Sequence, residues 1–230
     1  MISIDWKTAG SLFINGDCME YMKTMPDKCV DLALVDPPYG IGCDGNKAST
    51  GGHGGRKEHS KKEWDSKPPD KYYFDELFRV SKNQIIWGAN YYPQFLYGTM
   101  GWIFWDKGQD LNQSDGELAF TSFEKAFRRI VINRVELLKE GTIHPTQKPI
   151  KLYTWLLQNY AHRGDKILDT HVGSASSLIA CHRMGFEYWG FELDADYHKA
   201  ASERLEKEKS MQPLFAPQEI YKQEGLTFDA

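Results

Sequence analysis

The sequence predicts an α/β fold: a doubly wound, mainly parallel sheet with an antiparallel edge. Short apolar runs alternate with amphipathic stretches along most of the chain, which is the pattern of repeated βα units rather than of a sandwich or bundle. Between residues 102 and 133 one strand-like segment follows another without an intervening helix, the mark of an antiparallel layer. The length, 230 residues, lets roughly 70 to 75% of the unfolded surface be buried, so residues 1–210 are expected to form one domain around one full core.

In chain order, residues 12–14 read as a strand, 19–25 as a short helix and 32–35 as a buried strand that runs into Asp36-Pro37-Pro38-Tyr39. Two prolines stop that strand. Residues 40–69 are Gly-rich, polar and basic, with no periodicity that could bury a face, and a loop of this length leaving a strand's carboxyl end is expected to be a mobile lid. Residues 72–80 space their apolar positions for a helix, 84–87 form a strand and 91–96 a short helix. Segments 101–107, 117–123 and 127–133 are the successive strands. Residues 152–160 form a helix with Pro149 suited to its first turn, then come a strand at 167–168, a helix at 176–184, a strand at 188–191 and a charged helix at 196–209. Residues 211–230 read as a loosely held tail.

Lys and Arg number 28 against 32 Asp and Glu, a net charge of −4, so the chain is not a bulk polycation. Apolar residues at 41% and charged residues at 26% exclude wholesale disorder, and no apolar run approaches the ~18 residues of a membrane span. Cys18, Cys29, Cys43 and Cys181 are scattered without metal-ligand spacing. A reduced, cytoplasmic chain with no metal is expected, and the N-terminus lacks the pattern of a secretory signal.

Four segments place chemistry-bearing residues where open α/β sheets bind ligands, at the carboxyl ends of strands. In Asp36-Pro37-Pro38-Tyr39 a carboxylate, a fixed carbonyl and an aromatic ring together suit a planar, amino-bearing ring, although a bare D-P-P is equally a capped, proline-stopped strand. Residues 167–176 end a strand at Asp169 and turn through small residues into a helix, which lets a ligand approach backbone N–H groups and a positive helix end; Glu192 ends the next strand. The dinucleotide fingerprint G-x-G-x-x-G is absent, which disfavours hydride transfer. His144-Pro145-Thr146-Gln147-Lys148-Pro149 precedes a helix and offers the point charge of Lys148 to a ligand carboxylate. Asn15-Gly16-Asp17-Cys18 again follows a strand, and alone is mostly a helix N-cap signal.

As a set, NGDC at 15–18, DPPYG at 36–40, HPTQKP at 144–149, LDTHVGSAS at 168–176 and GFELD at 190–194 resemble the amino-directed DNA methyltransferases that use S-adenosylmethionine, in the permuted motif order where the catalytic segment precedes the cofactor segment. The resemblance spans residues 12–205. It implies a Rossmann-like methyltransferase fold and methyl transfer to an exocyclic amino group in double-stranded DNA after base flipping. By that likeness Asp36, Pro37, Pro38 and Tyr39 are catalytic; Asp169, Gly173 and Ser174 contact the methionine end of the cofactor, Glu192 the ribose, Asp17 and Cys18 the adenine, and His144, Thr146 and Lys148 the carboxylate side. Where the family reads D-x-F-x-G-S-G-T, this chain has His171 for Phe, Ala175 for the second Gly and Ser176 for Thr, so the turn must tolerate a Cβ.

An Asp first in the tetrapeptide is commoner for adenine N6 in the family and Ser for cytosine N4, which favours adenine and leaves cytosine as the alternative. A second alternative is a DNA-binding or assembly module that keeps the pocket. RNA or protein amide methylation is disfavoured, since protein-directed members usually show Asn at the place of Asp36. Local positive charge offers candidate DNA contacts at Lys57, Lys61, Lys62, Arg128, Arg129 and Arg134, with residues 102–143 as a candidate recognition segment. So short a chain leaves a second protomer, as in a homodimer, to help cover the DNA site.

Overall fold

The computed structural model describes residues 4–45, 62–108, 114–133 and 135–211. Among them eight strands form one sheet in the order β1-β8-β7-β2-β3-β5-β4-β6: β1 (Leu12–Asn15), β2 (Val30–Val35), β3 (Ser81–Trp87), β4 (Ile103–Asp106), β5 (Gly116–Thr121), β6 (Arg128–Val131), β7 (Lys166–Asp169) and β8 (Glu187–Glu192). Strands β1, β8, β7, β2 and β3 are mutually parallel. The mainly parallel α/β sheet read from the sequence is observed.

At the edge the outcome is more specific. Only β5 runs against its neighbours, β3 and β4, while β6 pairs parallel to β4. The chain goes up β4, down β5 and up again; because its third strand lands beside β4 rather than β5, that pairing is parallel. Register also lifts this layer: Trp87, the last residue of β3, pairs with Ala119, and Ala119 with Ile103, the first residue of β4. The β4–β5 pair therefore rises about 10 Å past the end of β3, three residues at the strand rise.

The central strands are buried on both faces, as parallel strands between helical layers must be. Leu32 and Leu34 of β2 point to the layer of α4 (Ile150–Tyr160), α5 (Ser176–Met184) and α6 (Ala195–Ser210). Ala33 and Val35 point to α1 (Cys18–Met22) and α2 (Lys71–Val80). Helix α2 buries Tyr73, Phe74, Leu77 and Val80, one helical face, and Asp70 caps it by accepting the Tyr73 N–H at 3.2 Å.

Three expectations change in detail. The short helix at 91–96 is a pair of 3₁₀ turns, at Ala89–Tyr91 and Pro93–Phe95. Pro149 is the N-cap of α4 rather than a residue of its first turn. Helix α3 (Val135–Glu140) was not expected; Asn133 Oδ1 accepts the Val135 N–H at 2.9 Å near its start, and six residues are too few for periodicity to declare a helix. The tail at 212–230 and most of the predicted lid, 46–61, lie outside the described residues. No helix among the described residues is long and apolar enough to cross a membrane.

Candidate active site

One cavity of about 570 Å³ opens at the carboxyl edge of the sheet. Segments distant in sequence meet there: residues 16–18 after β1, Asp36 and Pro38 after β2, His144 and 146–148 before α4, 170–174 after β7, and 192–195 after β8. The four motifs converge, as parallel strands with right-handed crossovers bring their carboxyl ends to one side.

On one side of the cavity, Asp169 ends β7 and is almost wholly buried. One of its oxygens accepts the His171 N–H at 3.0 Å and the other the Ser177 hydroxyl. Burial pushes its carboxyl up to about 7 and holds the His171 imidazole down to about 4. The turn then passes through Gly173 at φ +55° and Ala175 at φ +62°, both left-handed, and Ala175 is the N-cap of α5. Glu192 braces the same turn: Oε2 accepts the Gly173 N–H at 2.8 Å and Oε1 the Asp194 N–H at 2.9 Å, and burial pushes this carboxyl up as well. Asp17 caps α1 by accepting the Met19 N–H at 2.9 Å, and Cys18 beside it has its thiol pushed up by burial. His144 lies edge-on to Tyr197 at 4.4 Å, 5.1 Å from Trp64, with Nδ1 3.2 Å from Thr146 Oγ1.

On the other side, Asp36 continues the alternation of Leu32 and Leu34 and so faces α4. Its Oδ2 lies 2.5 Å from Lys148 Nζ, and Oδ1 accepts the Tyr39 hydroxyl at 2.6 Å. The Lys148 side chain, only 3% exposed, also pairs with Glu117 at 3.0 Å, and Lys107 reaches the same Glu117 at 2.8 Å. Two carboxylates and two ammonium groups thus balance to zero. Burial pushes the Asp36 carboxyl up, against the pull of Lys148. Burial works the same way on Glu117, yet Lys148 and Lys107 together hold it below the usual carboxylate range. For Lys148 the burial that would lower its ammonium is overcome by the two acids, which hold it high. A charge this buried requires such partners, and Lys148 has them in Asp36 and Glu117 while it lines the cavity.

Tyr39 is held tightly. Its ring stacks on Tyr91, centroids 4.9 Å apart and 15° between planes, and a Cβ on Gly88 (φ +68°) would lie 2.0 Å from it. The other candidates scatter. Lys62 sits at the cavity mouth, 2.9 Å from Asp194 and 2.5 Å from Asp196, with its charge met by this chain's own acids. Arg128 and Arg129 are exposed on the edge strand β6, and Arg129 pairs with Asp106 at 2.5 Å. Lys57, Lys61 and Arg134 lie outside the described residues. Sequence reasoning missed Glu117, Lys107, Gly88, Tyr91 and Trp64; strand register brings Glu117 to the lysine that holds Asp36, and Lys107 to Glu117, which residue type and spacing do not reveal.

A mainly parallel sheet carrying a carboxyl-edge cavity between a D-P-P-Y turn and a small-residue turn is a Rossmann-like arrangement. Residues 104–203 match the family model described as DNA methylase, N6_N4_Mtase. The type II methyltransferase M.HpaI of Haemophilus parainfluenzae is 23% identical over 241 aligned residues, covering 85% of this chain and 74% of the relative. Two solved structures share the fold: the M1.HpyAVI–SAM complex, with TM-score 0.58, 18% identity and 84% of this chain and 98% of that one covered, and the cytosine-N4-specific PvuII DNA methyltransferase, with TM-score 0.57, 12% identity and 93% and 90% covered. The chain is thus similar to the N6/N4 DNA methylases in sequence over residues 104–203 and shares the fold of solved DNA methyltransferases.

Proposed function

We propose that the protein transfers a methyl group from S-adenosylmethionine to the N6 amino group of adenine in double-stranded DNA, after the base is flipped from the duplex. The observation that carries this reading is the ion-paired Asp36 at the rim of the cavity, beside the Pro37 carbonyl. The amino nitrogen of a nucleobase is a poor nucleophile because its lone pair is delocalised into the ring. Accepting its hydrogens on Asp36 and the Pro37 carbonyl draws it toward a tetrahedral, reactive form. Orientation is then the main task left to the chain.

The cavity suits the donor. Its volume falls in the range of cofactor pockets, and the turn at residues 173–175 brings backbone close to the ligand space, with Gly173 and Ala175 both left-handed. Asp169, Gly173, Ser174 and His144 would hold the methionine end, with Thr146 beside them, Glu192 the ribose, and Asp17 and Cys18 the adenine. When bound, S-adenosylmethionine supplies a methyl group activated by its sulfonium. Asp36, whose carboxyl burial keeps basic, is placed to take the proton the amine must lose.

Adenine is preferred to cytosine on the Asp of the tetrapeptide, and the fold shared with a cytosine-N4-specific enzyme keeps cytosine N4 as the rival. Asp36→Ala should abolish methyl incorporation into unmodified genomic DNA, a loss of at least ~100-fold, while sparing cofactor binding; Lys148 keeps Glu117 as a partner. Mass analysis of nucleosides from DNA methylated by the wild type should give N6-methyladenine. N4-methylcytosine would transfer the reading to the rival, and an active Asp36→Ala enzyme would remove the catalytic assignment.

A further inference from the structure

Glu117 has no place in any motif of the chain and does not line the cavity, yet it makes the second ion pair of the lysine that holds Asp36. It gets there by register. Glu117 pairs across the sheet with Trp105, two residues beyond the row in which β3 ends, so β5, the one antiparallel strand, delivers its first residues beside the D-P-P-Y turn. Gly116 just before it has no room for a Cβ, which would lie 2.3 Å from the Trp105 carbonyl. Glu117 Oε2 accepts from Lys148 at 3.0 Å and lies 3.2 Å from the Tyr39 hydroxyl oxygen, whose one proton goes to Asp36 at 2.6 Å, while Oε1 is held by Lys107 at 2.8 Å.

We propose that Glu117 is a positioning residue: it shares Lys148 with Asp36, fixing the ammonium between two carboxylates so that Asp36 stays oriented by the lysine without being fully neutralised as an acceptor. The inference rests on the catalytic reading of Asp36. The geometry supports it at both ends. Lys148 donates to Asp36 and Glu117 alike and the Tyr39 hydroxyl oxygen lies against both, so the two acids form one network through the shared lysine. With Glu117 gone, Lys148 would belong to Asp36 alone, and a carboxylate whose charge is matched by a dedicated ammonium accepts an amino hydrogen less well.

The groups facing Asp36 are Lys148 and Tyr39 in contact and Glu117 across the shared lysine, with Tyr73, Tyr92, Tyr153 and Asp169 acting at longer range. The phenols are neutral through the accessible range, each pushed well above its ordinary value by burial. Replacing Glu117 by Gln removes a like charge near Asp36 and concentrates Lys148 on it. Both changes make Asp36 ionise at lower pH.

The test is the pH profile of kcat/KM for unmodified genomic DNA, read as tritium incorporated from labelled S-adenosylmethionine, in the wild type, Glu117→Gln and Glu117→Asp. Glu117→Gln should lose about 10- to 100-fold in kcat, the usual cost of an outer-shell partner, and its acid limb should move to lower pH. Calorimetric binding of S-adenosylhomocysteine should be unchanged. Glu117→Asp keeps the charge but is one methylene shorter, so kcat should fall with the limb moving less. A Glu117→Gln enzyme with wild-type kcat and limb overturns the proposal, as does a fall in kcat with an unmoved limb, which marks a merely structural role. If Glu117→Gln does not fold, an undiminished kcat in Glu117→Asp overturns it. Failure of the catalytic reading itself is told apart by the Asp36→Ala control, which would then remain active.

Discussion

Asp169 is a carboxyl group held at the end of β7 with nearly all its surface covered, and its folded-state value of about 7 against an ordinary 3.8 is set first by that burial. The Ser177 hydroxyl and the His171 N–H pull it back only in part. The sign of its effect on stability follows. Between pH 4 and 7 the folded protein holds a proton on Asp169 that the unfolded chain has lost, so this residue's contribution falls as pH rises through that window. Three units correspond to about 4 kcal/mol as an upper bound. Asp169→Asn should therefore match the wild type in thermal midpoint near pH 4 and exceed it increasingly toward pH 8, without cofactor. Midpoints measured across this range check it; a constant difference between the two proteins would show that Asp169 is ionised throughout. His171, neutral above about 4, acts in the opposite direction over an overlapping window, and the difference between the variants cancels it. At this scale the sequence identifies Asp36 and Asp169 because an acid at the end of an apolar run is a local signal. Glu117 carries no such signal: it stands one residue after a glycine in an ordinary strand, and only pairing with Trp105 gives it a role.

The element that departs from the family pattern is the turn into α5, where Ala175 stands for a glycine. The sequence expectation that this turn must tolerate a Cβ is met in an exacting form, since Ala175 is left-handed (φ +62°) and its methyl is buried in the core formed with α4 and α6. Magnitudes explain why it persists. A left-handed residue with a Cβ costs about 1–2 kcal/mol, while burying one methyl contributes about 0.8 kcal/mol and alanine narrows the unfolded ensemble by about 0.4–1 kcal/mol relative to glycine. The sum is near zero. Ala175→Gly should therefore stay within about 1 kcal/mol, a shift of at most ~2–4 °C in midpoint, whereas Ala175→Val, β-branched at positive φ with no space around it, should lose several times that. Thermal melts of the three proteins decide this, and a valine variant as stable as the wild type would contradict the conformation of the turn. Elements of this kind were readable where apolar periodicity ran long enough, as in α2, α4 and α5. They were not where six residues form a helix, as in α3, or where a strand's partner sets its sense, as in β6.

For the molecule as a whole, a net charge of −4 must be reconciled with the proposed polyanionic substrate, and what decides this is which cations remain unspent on the chain's own acids. Lys62, close to Asp194 and Asp196, and Arg129, on Asp106, are engaged, as are Lys107 on Glu117 and Lys139 on Glu136. Arg128 is exposed at the start of β6, four strands from β2 in the sheet order, about 19 Å at the spacing of neighbouring strands, a reach comparable to the width of a duplex centred on Asp36. The β4–β5 pair, raised past the end of β3, stands between them as a wall beside the site. If the duplex lies along this wall, Arg128 meets phosphate and Lys62 does not. Removing one phosphate contact lowers the dependence of log K on log salt by about 1 without altering preference among sequences. Arg128→Ala should show that decrement in binding titrations between 50 and 200 mM salt, Lys62→Met should leave the slope unchanged, and the pair Lys57→Ala with Lys61→Ala should lower it further. A slope that fell with Lys62→Met and held with Arg128→Ala would place the DNA across the cavity mouth instead, over the acids at the start of α6, where the repulsion of Asp194 and Asp196 would have to be relieved by that lysine alone.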